Sequence, residues 1–502
     1  MPRLLLLLAI AAVSLAATFG GPEEVDPKAA PETLGYGTVD QLGVDGSGRA
    51  YWLAERDAKA LVLERCGAGW QPALEAGLDT AIQDLAVAPS GAAVAVWFED
   101  SEKQLWSAYR SPGGGWSTAL VRSGTQMFGA DAAIDDNGDV VLAWAAVQGD
   151  KVSATFRPAA TGAWEPPAPL AGEGNPRVAI RNGSATVVAV DDWTVTHKVV
   201  AFPRPWGGAP ETVVTTDNLQ SDPWIDYDPS GRPAVVWVEQ TPQHYRVLKA
   251  SVRAGGWPTA TDVDFTDFPA FLVMQALVRH PQGLVAAYRR SDAMAVSRYG
   301  GGWSSPATFA GDFENVTAAA NGDGEIVVAG SRDSSEIWAA TATGIAGGFS
   351  TLTRLSAAAP GWRFPVAAGG GGRLVVAWGD HRGGQQRTLA AVSGDCAATP
   401  QATPTPTPQP PPPPTTQPPP KPKVVTLADV VTLPSSRKCR NSLKLKFRKP
   451  AKRVAMTVNG KKVKVKIGKA ITIKLRKRTT LKLTVTLADG SKLKSTARFR
   501  PC

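Results

Sequence analysis

The run Asp135-Asp136-Asn137-Gly138-Asp139-Val140-Val141-Leu142-Ala143-Trp144 is followed by Val152-Ser153-Ala154-Thr155-Phe156-Arg157, then by Gly162-Ala163-Trp164. An acidic turn ending in glycine leads into an apolar stretch, a polar gap follows, and an alternating stretch runs to a glycine and an aromatic. Short apolar and alternating runs bounded by turn residues read as strands. The pattern recurs. Equivalent glycines stand at Gly48, Gly91, Gly138, Gly183, Gly231, Gly283, Gly324 and Gly372, spaced by 41 to 52 residues. A glycine-rich turn followed by an aromatic recurs at Trp70, Trp116, Trp164, Trp206, Trp257, Trp303 and Phe349.

Self-similarity at this period, built from short strands, indicates four-stranded blades arranged around an axis. Each glycine separates two apolar runs, as between Ala86-Val87-Ala88 and Val94-Ala95-Val96-Trp97, which reads as a hairpin turn tolerant of positive φ. A third strand alternates, as in Leu105 to Arg110, and a fourth follows the aromatic, as in Trp116 to Val121. The expected fold is all-β, a β-propeller of eight blades, with seven as the alternative count. The last unit lacks a fourth strand of its own, and an open edge invites aggregation. Pro31-Glu32-Thr33-Leu34 echoes the fourth-strand stretch Pro210-Glu211-Thr212-Val213, so the N-terminal segment is expected to close the ring.

The glycine turn, the Val-Val-x-Trp strand and the Gly-Gly-Trp-Ser turn resemble the repeats of secreted bacterial β-propellers related to the sialidase-like group. The resemblance covers roughly residues 31 to 396 and implies an architecture. The Asp-box of sialidases, Ser-x-Asp-x-Gly-x-Thr-Trp, is missing from these units, so no catalytic residue is carried over.

Met1-Pro2-Arg3, the apolar run Leu4 to Ala17 and small residues near Ala16 form the three parts of a secretory signal, residues 1–17. The expected organisation continues with the propeller at 30–396, a Pro/Thr-rich linker at 397–423 and a basic module at 424–502. The linker, with Pro410 to Pro414, reads as extended polyproline II. The module alternates apolar residues with lysines, as in Val463-Lys464-Val465-Lys466-Ile467, and has hairpin turns at Asn459-Gly460 and Asp489-Gly490. Its opening cysteine, paired hairpins and terminal cysteine resemble small immunoglobulin-like modules of secreted proteins from high-GC bacteria. That resemblance implies a β-sandwich. Four cysteines in an exported chain allow three connectivities. Position favours Cys66 with Cys396 across the ring closure and Cys439 with Cys502 within the small module.

Charge is divided. From Lys421 onward there are 25 Lys+Arg against 2 Asp+Glu, and before it 29 against 42. The basic end is read as a contact for an anionic cell-wall polymer or polysaccharide rather than nucleic acid, since export makes such polymers the available partners. The acidic turns lack the spacing and closing glutamate of a calcium loop, and His197, His244, His280 and His381 lie in different units, so no metal or cofactor is expected. Asp191-Asp192-Trp193 and the stretch with Asp262, Asp264 and Asp267 break the repeat and are the candidate binding loops. The leading functional reading is a secreted, monomeric, non-catalytic binding or cell-surface-associated protein held at the cell wall; the alternative is a glycoside hydrolase or polysaccharide lyase using the central pocket.

Overall fold

The repeated turns fold as antiparallel hairpins, and the reason is visible at Asp135. Its Oδ1 accepts the backbone N–H groups of Asn137 and Asp139 at 3.0 and 3.1 Å. Asp45 caps its own turn through Ser47 and Arg49, at 2.9 and 3.0 Å, and Asp228 accepts Arg232 N–H at 2.9 Å. The acidic residues are thus used by turn geometry. Six of the eight marker glycines adopt positive φ, from 75° to 84°. Gly283 does not. There a side chain would run into the Tyr299 carbonyl, so close approach is the constraint.

The computed structural model describes residues 18–26, 41–67, 69–147, 151–191, 196–267, 270–333, 335–356, 365–382, 385–394 and 396. Further along it describes 431, 442–446, 451–459, 461–463, 465, 470–474, 479–487 and 492–499. The described residues contain strands and no helix, so none long and apolar enough to cross a membrane. Residues 1–404 and 405–502 form two separate units.

In the first unit, sheets 1 to 7 are four-stranded antiparallel meanders at 42–76, 81–123, 127–169, 173–216, 224–266, 272–309 and 313–354. Sheet 8 combines Val366–Gly370, Arg373–Arg382 and Gln385–Val392 with the N-terminal strand Glu23–Asp26 on its outer edge. Repeated four-stranded antiparallel sheets with no helix among the described residues are the arrangement of a β-propeller-type fold. Separate apolar clusters lie between successive sheets, and one of them joins Leu42, Trp52 and Trp70 of sheet 1 to Val25, Val366 and Ala377 of sheet 8. The second-strand tryptophans Trp52, Trp97, Trp144, Trp237 and Trp378 are at most 2% exposed and anchor these clusters.

The turn aromatics reach back to the preceding sheet. Trp257 Nε1 donates to Glu211 of sheet 4 at 3.0 Å, and Arg253 donates twice to the same carboxylate, at 2.7 and 2.8 Å. Glu64 of sheet 1 is gripped by Trp116 at 3.0 Å and by Arg110 at 3.3 Å. The closure between sheets 8 and 1 repeats this clasp, with Trp70 Nε1 at 3.0 Å from Glu23 and Arg65 paired to the same carboxylate. The closing strand therefore lies upstream of residue 30, at Glu23–Asp26, whereas Glu32 to Leu34 lie outside the described residues. Glu23 meets Arg65 and Trp70, and Val25 fills the closing cluster. Cys66 and Cys396 form a disulfide beside this clasp, with Cα atoms 5.4 Å apart.

The second unit has two sheets. Ser442–Lys446 pairs with Ala470–Lys474, and Lys461–Val463, Ala451–Val458, Thr479–Leu487 and Lys492–Phe499 form a four-stranded sheet in that order. Leu481, Leu483 and Val485 are buried while Lys482 is exposed, which is the period-2 alternation of a half-solvated sheet. Lys462 and Lys482 both pair with Thr457, so they lie on one face of the sheet, opposite the row of Met456, Val463 and Leu483. Asn459 takes positive φ at its hairpin. Cys439 and Cys502 lie outside the described residues, as do residues 1–17.

Candidate ligand cavity at the ring centre

The first strand of each sheet is an edge strand facing the axis, and together these strands enclose a cavity of about 860 Å³. Much of its wall is Ala, Val, Leu and Ile, because eight inner strands converge too closely for bulky side chains. Inner edges carry unpaired amides, which must find acceptors. The acceptors are side chains of the neighbouring sheet. Asp84 Oδ2 accepts Ala132 N–H at 2.6 Å, Asp131 Oδ2 accepts Val178 N–H at 2.6 Å, and Gln275 Oε1 accepts Val316 N–H at 2.7 Å. Thr317 Oγ1 accepts Ala367 N–H at 3.2 Å. The first strands of sheets 2, 3, 4, 6 and 7 each carry a register shift beside these positions, which turns a side chain along the ring instead of across its own sheet.

Two arginines complete the polar lining. Arg177 Nη1 donates to Asp131 at 2.9 Å, and its guanidinium lies 4.3 Å from the Trp224 ring centroid. Arg279 donates to Asp226 at 2.6 Å and to the Ile180 carbonyl at 3.1 Å, tying sheets 4, 5 and 6 together. Burial holds the Asp131 carboxyl above the ordinary carboxylate range, opposed by Arg177 and the Val178 N–H. Asp222 is likewise pushed up by burial, against the Asn175 amide that donates to it at 3.2 Å and the Arg177 charge. Burial opposes the charge of Arg279, but Asp226 outweighs it and the guanidinium is held above its usual value.

Trp224 is the one tryptophan, tyrosine or phenylalanine among the residues lining the cavity. Sequence reasoning missed it. The available signal was its place outside both tryptophan series, since it is neither a second-strand tryptophan nor a turn aromatic. Its strand, Trp224–Tyr227, is also short and carries no register shift.

The candidates read from sequence lie elsewhere. Asp191 is half-buried at the end of a strand, and Asp192 and Trp193 lie outside the described residues. Asp262 and Asp264 sit in the strand Thr261–Thr266, the outer strand of sheet 5, instead of in a loop. Asp262 pairs with Lys249 at 3.0 Å, buried Asp264 accepts the Tyr288 hydroxyl at 3.0 Å, and Asp267 contacts His244 Nδ1 at 3.0 Å. His280, by contrast, is among the residues lining the cavity and is buried, with Nδ1 accepting Gln282 N–H at 3.0 Å and Nε2 at 2.9 Å from the Gly324 carbonyl, so both ring nitrogens are used by the backbone. Among the described residues no cluster of His, Cys, Asp and Glu has metal-ligand geometry.

No protein-family profile matches the chain, and no curated protein matches it in sequence. Among solved structures, the chain is similar to a prolyl endopeptidase at 12% identity, over 68% of this chain and 54% of that one, with a TM-score of 0.41. It is similar to a chain of the mitotic checkpoint complex at 11% identity, over 66% and 96%, with a TM-score of 0.43. It is similar to polysaccharide lyase Uly1 at 10% identity, over 76% and 100%, with a TM-score of 0.37. The chain thus spans about half the length of the prolyl endopeptidase chain it matches. Likeness of this degree assigns no activity.

Proposed function

We propose that the chain is a secreted, non-catalytic binding protein. In this reading its eight sheets are the blades of one closed propeller, a small polar ligand enters the central cavity beside Trp224, and an immunoglobulin-like basic module contacts an anionic wall polymer. One observation carries it. Of the six aspartates lining the cavity, Asp84, Asp131 and Asp226 on the inner strands are each engaged by a backbone amide or an arginine of a neighbouring sheet. Groups so engaged act as the ring's fasteners, whereas hydrolysis of a glycosidic bond needs two carboxyls converging on the scissile bond.

The tail is supported by charge and register, with Lys462 and Lys482 exposed on the face opposite its buried row. Contact through many lysines releases counterions and weakens steeply with salt. The test is retention of the full-length chain on purified cell walls from 50 to 500 mM NaCl. Retention should fall across that range, and K462E/K482E should be retained less at the lowest salt. Retention unaffected by salt, or equal for the variant, removes the tail's proposed role.

A second reading has its own observation. Asp131 and Asp222 are both held above the usual carboxylate range by burial, as a general acid requires, and Arg177 acts on both. If the protein is a glycoside hydrolase or lyase, D131N and D222N each abolish turnover of polysaccharide, with D222N keeping the native melting curve and D131N, which loses a fastener between sheets 3 and 4, melting lower. Activity in neither the native chain nor the variants leaves the binding reading standing.

A further inference from the structure

Two arginines among the described residues are buried, Arg110 at 6% exposure and Arg373 at 1%. Arg110 has its counter-charge, since its Nε lies 3.3 Å from Glu64. Arg373 begins the second strand of sheet 8, Arg373–Arg382, and no carboxylate of the described residues bonds to it. Its Nη1 donates to the Gly48 carbonyl of sheet 1 at 2.8 Å and lies 3.6 Å from Cys396 Sγ, while its Nε is buried with no acceptor. A buried guanidinium without an anion is costly. The sulfur it faces is one half of the Cys66–Cys396 disulfide, and that sulfur becomes an anion when the bond opens. The two sulfurs are set differently. Cys66 is exposed on a turn with Gly67 and Gly69, where an added Cβ would meet no atom within 4 Å. Cys396 is half-buried, its Cα 3.6 Å from where a Cβ on Gly48 would stand.

We propose that this disulfide is an exchange site, modified at Cys66 by a low-molecular-weight thiol. The external thiolate attacks Cys66 Sγ and forms a mixed disulfide there. The Cys66–Cys396 bond breaks, and its electron pair leaves on Cys396 Sγ as a thiolate beside the Arg373 guanidinium. A second small thiolate then attacks the small-thiol sulfur of the mixed disulfide and releases Cys66 as a thiolate. The two small thiols end as their own disulfide, so two electrons pass from them to the protein. Exchange runs faster as the leaving thiol becomes more acidic. An arginine beside a thiol favours the thiolate, and here it stands at the sulfur that must leave. On the sheet 1 side the neighbouring charges are already matched, Arg65 with Glu23 at 3.0 Å and Arg49 with Glu64 at 3.0 Å. Asp395 adjoins Cys396 in sequence, outside the described residues, and its charge opposes that of Arg373. A cross-link that only holds the closure gains nothing from an uncompensated cation at one sulfur, and burying that cation costs stability. The site is separate from the central cavity.

The experiment exposes the oxidised full-length chain to reduced glutathione at neutral pH, quenches with acid and locates the adducts by peptide mapping. The adduct should fall on Cys66 and not on Cys396. Opening of the bond should be roughly tenfold slower in R373M, which keeps the bulk and removes the charge, and R373K should restore most of the native rate. In C66S the freed Cys396 thiol should react with iodoacetamide with a midpoint below the ordinary cysteine value of about 8.5, and C66S/R373M should return it to that value or above. Melting curves of the variants are compared first. Where R373M melts below the native chain, the adduct position in the native chain decides alone. The proposal is overturned if the adduct forms on Cys396, or if a folded R373M opens as fast as the native chain. It is overturned equally if glutathione leaves the bond closed, or if Cys396 in a folded C66S titrates at about 8.5 or higher.

Discussion

The closure between sheets 8 and 1 and the interface between sheets 4 and 5 use the same clasp, a glutamate held by an arginine and a tryptophan of the next sheet. Only the closure is also cross-linked, by Cys66–Cys396. The difference lies in chain connectivity. Between sheets 4 and 5 a short connection carries the backbone from the strand Glu211–Thr216 directly to Trp224–Tyr227, so the clasp has only to orient two neighbours. At the closure, strands from opposite ends of the first unit must meet, and fastening contacts distant in sequence costs loop entropy. A disulfide spanning 330 residues lowers that cost by restricting the unfolded chain.

The comparison can be broken most directly at the cross-link. C66S/C396S, or full reduction, should cost roughly 4 kcal/mol or more, as the chain-entropy scale gives for very long loops. Chemical denaturation of the native and variant chains measures it, and an unchanged midpoint would remove the closure's special status. A smaller effect sharpens it further. E23A and E211A each leave an arginine and a tryptophan N–H without their acceptor, a loss of about 1.5 to 3 kcal/mol for hydrogen bonds to a charged group. The two costs should match in the oxidised chain and diverge on reduction, with E23A the worse. Equal costs under reduction would mean that the clasp holds the closing strand without help from the disulfide.

The smallest expected effect is electrostatic and separates two carboxylates near the interface of sheets 4 and 5. Burial holds Asp222 above its ordinary range, so its contribution to stability is fully present below the unfolded value near 3.9 and is lost as pH rises through the raised folded value. Burial also pushes Asp228 up, but the Arg232 N–H, the Ser230 hydroxyl and the Arg232 guanidinium win, and the group is held low. Its contribution is present above the unfolded value and lost as pH falls through the lowered one. D222N should therefore gain on the native chain as pH climbs from 4 to 7, whereas D228N should lose on it as pH climbs from about 2 to 4, below the window of Asp222. Melting curves at the two ends of each window check the signs.

Local chemistry decided much of this protein in advance. The hairpin glycines, the caps at Asp45, Asp135 and Asp228, the four-strand units and the alternation of Leu481, Lys482 and Leu483 each depend on residues within a few positions of one another, so they are legible in a linear chain. The Cys66–Cys396 pairing was readable as well, because a ring must bring its first and last units together. The closing strand was harder. Glu23 finds its place there through Arg65 and Trp70, 42 and 47 residues further along the chain. The central cavity belongs wholly to tertiary structure. Asp84, Asp131 and Gln275 find their acceptor roles on the next sheet, some 40 to 50 residues away, and Trp224 faces the axis only because eight inner strands converge on it. The same holds for Arg373 beside Cys396, since which charged group is left buried without an anion depends on how every other part of the chain has packed.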